Sequence, residues 1–438
     1  MTYSKKPRFN INFILQETGL KADTVRAWER RYQIPQPERS KGGHRLYSEY
    51  DLHTLIWLMD RQNDGMRIGQ AAAYWHEQSS EGLDPLASVL EPENIANNPL
   101  VSTQNATLED LQTSWLEHSF QFNEIASEQI LSLAFAQYPV QTVCTELILP
   151  GLGKVGDLWA NDEISVQQEH FISEVTVRKL QTLISTAPHP THNQSILIAN
   201  PPGEHHVIIL LMLTLLLKNR GWQVIYLGGN VPNADLLKTV NLSKIDLVIL
   251  SASRLITSTA LKDTINLLLS NGTPAAYGGW IFSQSERLAE SFPGLYLGND
   301  LCQSINTVED FLNNPKPLPS GSKRDESSEK LAEELKKAEP QIIQTINDNM
   351  LAESMIFEPD IINTATRDLI ADITAALNLG NIDHTLINLD WISNLITNRN
   401  FPNTALQTYL SVFSQAIEKH MGTEAQRIIR MINNHSLR

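Results

Sequence analysis

The sequence predicts a multidomain chain of α and α/β class, in which a winged helix-turn-helix, a four-helix bundle and a parallel-sheet domain precede a helical carboxyl-terminal extension. Three observations predict it. Residues 1–50 hold ten Lys and Arg against five Asp and Glu, in a chain whose formal net charge is −15, and they carry two short helical patterns split by Gly19-Leu20. Residues 107–188 keep helical apolar spacing with short interruptions. Residues 192–312 alternate strand-like and helical runs, as a parallel sheet with right-handed crossovers requires. With 438 residues, of which 42% are hydrophobic, the chain can fill the cores of about three domains.

In residues 7–78, a helix at 12–17 and a glycine turn lead to a second helix, for which Asp23 is the expected cap. That helix carries Thr24, Arg26, Trp28, Arg30 and Arg31. In a helix-turn-helix the second helix enters the major groove, so Thr24, Arg26, Arg30 and Arg31 are the expected base and phosphate contacts, with Trp28 in the core. A glycine turn flanked by Lys41, Gly43, His44, Arg45 and Tyr47 suits a wing that grips phosphate. Further helices follow at 48–63 and from Gly65. The runs Thr24-Val-Arg-Ala-Trp-Glu-Arg-Arg-Tyr32 and Gly43-His-Arg-Leu-Tyr-Ser48 resemble the MerR family of winged-helix regulators, and the resemblance covers the first seventy residues. It implies double-stranded operator DNA as a partner. MerR activators of metal and drug resistance continue into a long coiled coil, but no heptad run follows Trp75, and residues 79–106 read as a polar linker. Contacts for a dimer or tetramer must then come from elsewhere.

Residues 107–188 fit four helices with breaks near 121–123, Pro139 and Pro150-Gly151. Ser165 is a plausible cap, so Trp159 ends one helix while Glu169 and His170 open the next. A Trp nine residues before Glu-His resembles the adenosylcobalamin-dependent light-sensing regulators of the CarH/LitR type. By that resemblance Trp159 covers the upper face of the corrin, and Glu169 and His170 address the adenosyl group. Some members carry a histidine directly after the tryptophan that captures cobalt once light expels the adenosyl group. Here that position is Ala160, leaving His170 or His205 as substitutes.

Strands are expected at 195–199, 224–227, 247–251, 275–277 and 295–297 within 192–312, giving a flavodoxin-like sheet. The loop after the first strand carries Glu204-His-His206, and such loops hold ligands in open α/β sheets. A neutral imidazole suits a borderline transition metal, and a carboxylate on its other nitrogen fixes the tautomer. The stretch resembles the Asp/Glu-x-His-x-x-Gly motif of cobalamin-binding domains. The resemblance implies that His206 replaces the cofactor's own base beneath cobalt, with Glu204 behind it. Ile209 stands where that motif has glycine, and a branched side chain there threatens the approach of the nucleotide tail. Gly228-Gly229, Ser251, Ser253 and Gly278-Gly279 supply small residues at strand ends for a slot that holds the tail, and Trp280 narrows it. Ser253 replaces the leucine of the family's Ser-x-Leu.

Two cysteines, with no CxxC pair, support neither a disulfide framework nor a structural zinc site. The amino terminus lacks a signal-peptide core and the apolar run at 207–217 is too short to span a bilayer, so a soluble cytoplasmic protein without membrane contact is expected. Residues 313–330 read as a linker and 331–438 as helices at 331–354, 359–379, 383–398 and 402–433, with no catalytic constellation. That extension is expected to bind a protein partner or a second copy. The reading is a non-enzymatic, DNA-binding repressor that senses light through adenosylcobalamin held between bundle and sheet. The alternative keeps DNA binding, loses cobalamin and answers to protein partners, because Ile209, Ser253 and Ala160 depart from the pattern. A corrinoid methyl carrier or enzyme would need a substrate barrel that the sequence does not supply.

Overall fold

The computed structural model describes residues 3–39, 43, 45–63, 66–80, 85–86, 106–322, 325–352, 359–398, 402 and 404–436. These form two compact units, Met1–Ala106 and Thr107–Arg438. Lys41, His44, Gly65 and most of the expected 79–106 linker lie outside the described residues.

In the first unit, α1 (Ile11–Thr18) begins where the Asn10 side chain accepts the Phe13 amide hydrogen. It ends at Gly19, whose φ of 70° lies in the left-handed region that glycine enters without strain. Helix α2 (Ala22–Tyr32) starts two residues earlier than expected: Lys21 is the cap, and Asp23 sits in the first turn, where an acid favours the helix dipole. Strands β1 (Glu38–Arg39) and β2 (Arg45–Leu46) pair antiparallel as the wing. Helices α3 (Glu49–Asn63) and α4 (Ile68–Ser80) close a core of Ile14, Val25, Trp28, Tyr47, Leu55 and Leu58.

The second unit opens with a bundle of α5 (Leu108–Phe120), α6 (Glu124–Gln137), α7 (Leu149–Ala160) and α8 (Val166–Ser185). Capping boxes at Thr107/Asp110 and Ser165/Gln168 satisfy the amides that start α5 and α8. The break expected at Pro150-Gly151 is absent. A wide π turn, Val143–Ile148, runs directly into α7, so the proline, which has no amide hydrogen, falls where the ladder is already shifted. Gly151 serves packing instead, because a Cβ there would come within 2.6 Å of Trp115.

Five parallel strands follow: β3 (Ser195–Ala199), β4 (Gln223–Gly228), β5 (Leu247–Ser251), β6 (Ala275–Gly278) and β7 (Leu295–Tyr296), in the order β4-β3-β5-β6-β7. The order reverses beside β3, which places the loop after β3 at the switch point of the sheet. The helices linking β3 through β6 are α9 (Ile208–Asn219), α10 (Asn233–Ser243) and α11 (Leu255–Ser270), two short helical turns lie between β6 and β7, and α12 (Leu301–Asn313) follows β7. Helix α9 is buried without a break from Leu210 to Leu217, covered by the sheet, α8 and α12. That burial accounts for the chain's apolar run, and among the described residues no helix is long and apolar enough to cross a membrane.

The expected linker is shorter than 313–330 and is fastened to the sheet domain: Ser322 donates its amide hydrogen to Ser291, and Gly294 to Pro319. Helix α13 (Glu326–Ala352) begins five residues before the expected start. It is followed by α14 (Pro359–Asn378), α15 (Thr385–Asn398), α16 (Thr404–Met421) and α17 (Gln426–Ser436). The single helix expected at 402–433 is two, broken at Gly422 with φ 58°. The extension is not free-standing, since Ala375 and Ala376 of α14 and Leu379 just after it belong to the hydrophobic core of the sheet domain, and α14 packs on α11.

Candidate functional site: a carboxylate-braced histidine over a cavity

The site is built on the loop from Asn200 to Val207. Gly203, at φ 83°, donates its amide hydrogen to Asn230 Oδ1 (2.8 Å), and the Asn200 amide group donates to the His206 carbonyl (2.9 Å). These bonds fix the loop against the ends of β3 and β4. Glu204 is 1% exposed and accepts four hydrogen bonds: from His206 Nδ1 (2.5 Å), the His206 amide (3.0 Å), the Ser253 amide (2.7 Å) and the Thr257 hydroxyl (2.6 Å). Burial by itself would raise its pKa. The bonds from His206, Ser253 and Thr257 outweigh that effect and hold it at about 2, so Glu204 is an anion at neutral pH. The same bond raises the pKa of His206 against the opposing effect of burial. With Nδ1–H committed to Glu204, the neutral imidazole keeps its lone pair on Nε2.

His206 lines a cavity of about 600 Å³ between bundle and sheet. From the bundle, α7 contributes Leu152 and α8 contributes Glu169 and His170. His170 Nδ1 lies 2.5 Å from Glu169, whose other oxygen accepts the Ser173 hydroxyl (2.8 Å). The sheet contributes Ser251, Ser253, Gly278 and Gly279, and His205, Ile209 and Trp280 complete the wall. Gly279 must be glycine: its φ is 118°, and a Cβ would sit 2.2 Å from the Ala252 carbonyl oxygen. The Ser251 hydroxyl is buried on this wall without a hydrogen-bond partner among the described residues, an orphan that a polar ligand would satisfy.

Several expectations are corrected. Gly228 and Gly229 do not line the cavity. They lie behind the loop, where a Cβ on Gly229 would approach the Glu204 carbonyl oxygen at 3.1 Å, so that glycine lets β4 pass close to the loop. Trp159 is not among the lining residues either. Its ring stacks on Trp391 of α15, with centroids 6.3 Å apart and planes 17° from parallel. Ser253 acts through its backbone amide, which leucine would supply equally, so the missing leucine leaves that bond intact. Ile209 lies in the first turn of α9 in ordinary helical conformation, its side chain forming apolar wall where glycine would leave room.

In the first unit Arg26, Arg30 and Arg31 are exposed on α2 and Thr24 is half-buried. Tyr47 is wholly buried and cannot contact DNA. It donates to Glu29 Oε1 (2.5 Å), and burial with that carboxylate pushes its phenol far above the ordinary range. Arg45 is tied to the other oxygen of Glu29 at 2.7 Å, which joins the wing to α2. Gly43 sits at φ 79° between the wing strands, with open space around it. Glu29, Thr257 and Trp391 escaped sequence reasoning, since an acid among arginines, a threonine early in a helix and a tryptophan in an amphipathic run carry no distinguishing spacing.

Family profiles described as B12 binding domain match residues 111–184 and 194–298, and one described as MerR family regulatory protein matches residues 16–47. The chain is 29% identical over 274 residues to the HTH-type transcriptional repressor CarH of Myxococcus xanthus, covering 62% of this chain and 88% of that protein. It is 28% identical over 246 residues to CarA of the same organism, covering 56% and 76%. Among solved structures, the monomethylamine corrinoid protein of Methanosarcina barkeri aligns at 16% identity with a TM-score of 0.41, covering 46% of this chain and 98% of that one. The chain is a MerR-type helix-turn-helix transcriptional regulator with B12-binding domains, homologous to the CarH and CarA repressors.

Proposed function

We propose that the chain represses transcription in the dark with adenosylcobalamin held between bundle and sheet, and releases its operator in light. The observation that carries this reading is the Glu204–His206 pair, which turns Nε2 of a tautomer-locked imidazole toward a cavity at the switch point of the sheet. The cavity fits the group on one further count, since the orphaned Ser251 hydroxyl awaits a polar partner, and Gly279 lets the wall close tightly on the Ala252 carbonyl.

His206 would hold cobalt, and the groove beside Ser251, Ser253, Gly278 and Gly279 would hold the nucleotide tail. Glu169 and His170 face the same cavity from the bundle and would address the adenosyl group. When bound, adenosylcobalamin supplies a cobalt–carbon bond that light cleaves. A ligand wedged between bundle and sheet biases their relative placement, and with it the surfaces available for a dimer or tetramer. Loss of that assembly removes multivalent contact with DNA. We read the chain as cytoplasmic and non-catalytic, with α13 to α17 available to a protein partner.

Ile209 favours one second reading, a regulator that has lost cobalamin and answers to proteins, because its side chain occupies wall where the motif has glycine. Reconstitution with adenosylcobalamin in the dark, desalting, and visible spectra before and after green light decide between them. Retained corrinoid that loses its alkyl bands on illumination, and is not retained by His206→Ala, supports the photosensor. A colourless wild-type protein rejects it.

A further inference from the structure

Two contacts between the carboxyl-terminal helices and the B12-binding unit bear on the cavity. Helix α14 packs on α11, whose first turn supplies the Thr257 hydroxyl that holds Glu204. One helix later, the Trp391 ring of α15 lies nearly parallel to, and offset from, that of Trp159 at the end of α7. The extension therefore bridges the sheet domain and the bundle, the two bodies that wall the cavity. Trp159 is half-buried and Trp391 is 43% exposed, so the pair sits at the edge of the packed unit, where a ring can exchange one stacking partner for another without opening a core.

We propose that Trp391 is a positioning residue that occupies the Trp159 ring until a corrinoid takes it, so that loading the cavity loosens α15. The inference rests on the cobalamin reading above, joined to the resemblance by which Trp159 would cover the upper face of the corrin. Trp159 cannot present the same face to Trp391 and to a corrin at once, and the structure shows it on Trp391 and off the cavity wall. The two states thus compete for one ring. Offset aromatic stacking is a modest interaction, and its loss corresponds to a change of about two- to tenfold in an equilibrium. A competition of that size lets corrinoid win while leaving the extension responsive to occupancy. The carboxyl-terminal module then reads the state of the cavity, and its newly freed face is what a partner or a second copy would see.

The test uses the full chain, titrated with adenosylcobalamin in the dark and followed by its visible spectrum. Trp391→Ala should bind about two- to tenfold more tightly than wild type, Trp391→Phe should restore most of the wild-type value, and the effect of Trp391→Ala should vanish in a Trp159→Ala background. Amide hydrogen exchange across α15 should rise on loading in wild type. A residue that merely packs would shift the other way, its truncation weakening binding through lost order. Unchanged or weaker binding by Trp391→Ala, with wild type retaining corrinoid, overturns this inference alone. Wild-type protein that retains no corrinoid overturns it together with the cobalamin reading.

Discussion

Glu204 does its work by accepting four hydrogen bonds while almost fully buried, and each donor it holds is something the site needs in place. Replacing it with Gln keeps the volume but removes the charge, and an amide cannot accept at both ends. Nδ1 of His206 then loses its anionic partner, and the imidazole loses its fixed tautomer and part of its basicity. Glu204→Gln is expected to weaken corrinoid retention about 10- to 100-fold, the range found for partners of metal-bound histidines. A titration of the dark protein followed at the alkyl-cobalamin bands checks it, and retention equal to wild type would remove Glu204 from the site. Gly279→Ala should abolish retention by a different route, because the new Cβ would press on the Ala252 carbonyl and the Ser251 hydroxyl. Circular dichroism of that variant separates a locally displaced wall from an unfolded domain. In the first unit Glu29 has the corresponding role, holding Arg45 and Tyr47 together. Tyr47→Phe removes the hydrogen bond to the Glu29 side chain, at a cost of about 1–3 kcal/mol to that unit.

At the scale of elements, α2 and the wing divide the labour of DNA binding between a charged face and a frame. Arg30 is exposed at the end of α2, whereas Arg45 is held by Glu29. Arg30→Ala should lower affinity across all sequences and reduce the slope of log K against log salt by about one, the signature of a lost phosphate contact. Tyr47→Phe should lower affinity without changing that slope, since no contact to phosphate is removed. Fluorescence anisotropy over a salt series distinguishes the two, and equal slopes for both variants would place Arg30 away from the backbone. The sequence announced the helix-turn-helix and the alternating sheet because each rests on local periodicity: a glycine turn between two amphipathic runs, and strands punctuated by small residues. The Glu204–His206 pair was legible for the same reason, its spacing being two residues within one loop. What was hidden depends on residues far apart in the chain. The Trp159 contact with Trp391 spans more than two hundred positions, and the position of Gly229 behind the loop follows from how β4 lies against β3. Pro150 misled because a proline usually ends a helix, and nothing local showed that a π turn would absorb it.

At the scale of the whole second unit, the carboxyl-terminal helices carry two buried titratable groups with opposite pH dependence. Asp372 on α14 is 6% exposed, its Oδ2 accepts from Asn388 and its Oδ1 has no partner among the described residues. Burial lifts its pKa to about 6, with Asn388 and Arg254 opposing and Asp368 on its own helix assisting. His384, 5% exposed, is driven by burial to about 4, with Asp383 opposing and Lys262 and Arg287 of the sheet domain assisting. A raised carboxyl contributes stability below its unfolded value of 3.8 that is lost as pH rises through about 6. A depressed histidine contributes stability above 6.5 that is lost as pH falls through about 4. Each change is on the order of 3 kcal/mol, and over the shared interval from about pH 4 to 6 the two oppose each other, so their joint contribution is nearly flat. Asp372→Asn keeps an acceptor for Asn388 and removes one of the opposing slopes. The melting temperature of the variant should match wild type near pH 4 and exceed it by several degrees at pH 7, the gap opening between those values. Scanning calorimetry across that range checks this, and a gap of constant size would mean that Asp372 does not titrate in the folded unit. Because α14 packs on α11 and the cost of burying the Asp372 charge outweighs its attraction to Arg254, the same variant should also hold the carboxyl-terminal helices more firmly against the turn that supports Glu204. Slower amide exchange in α14 at pH 7 would accompany the gain.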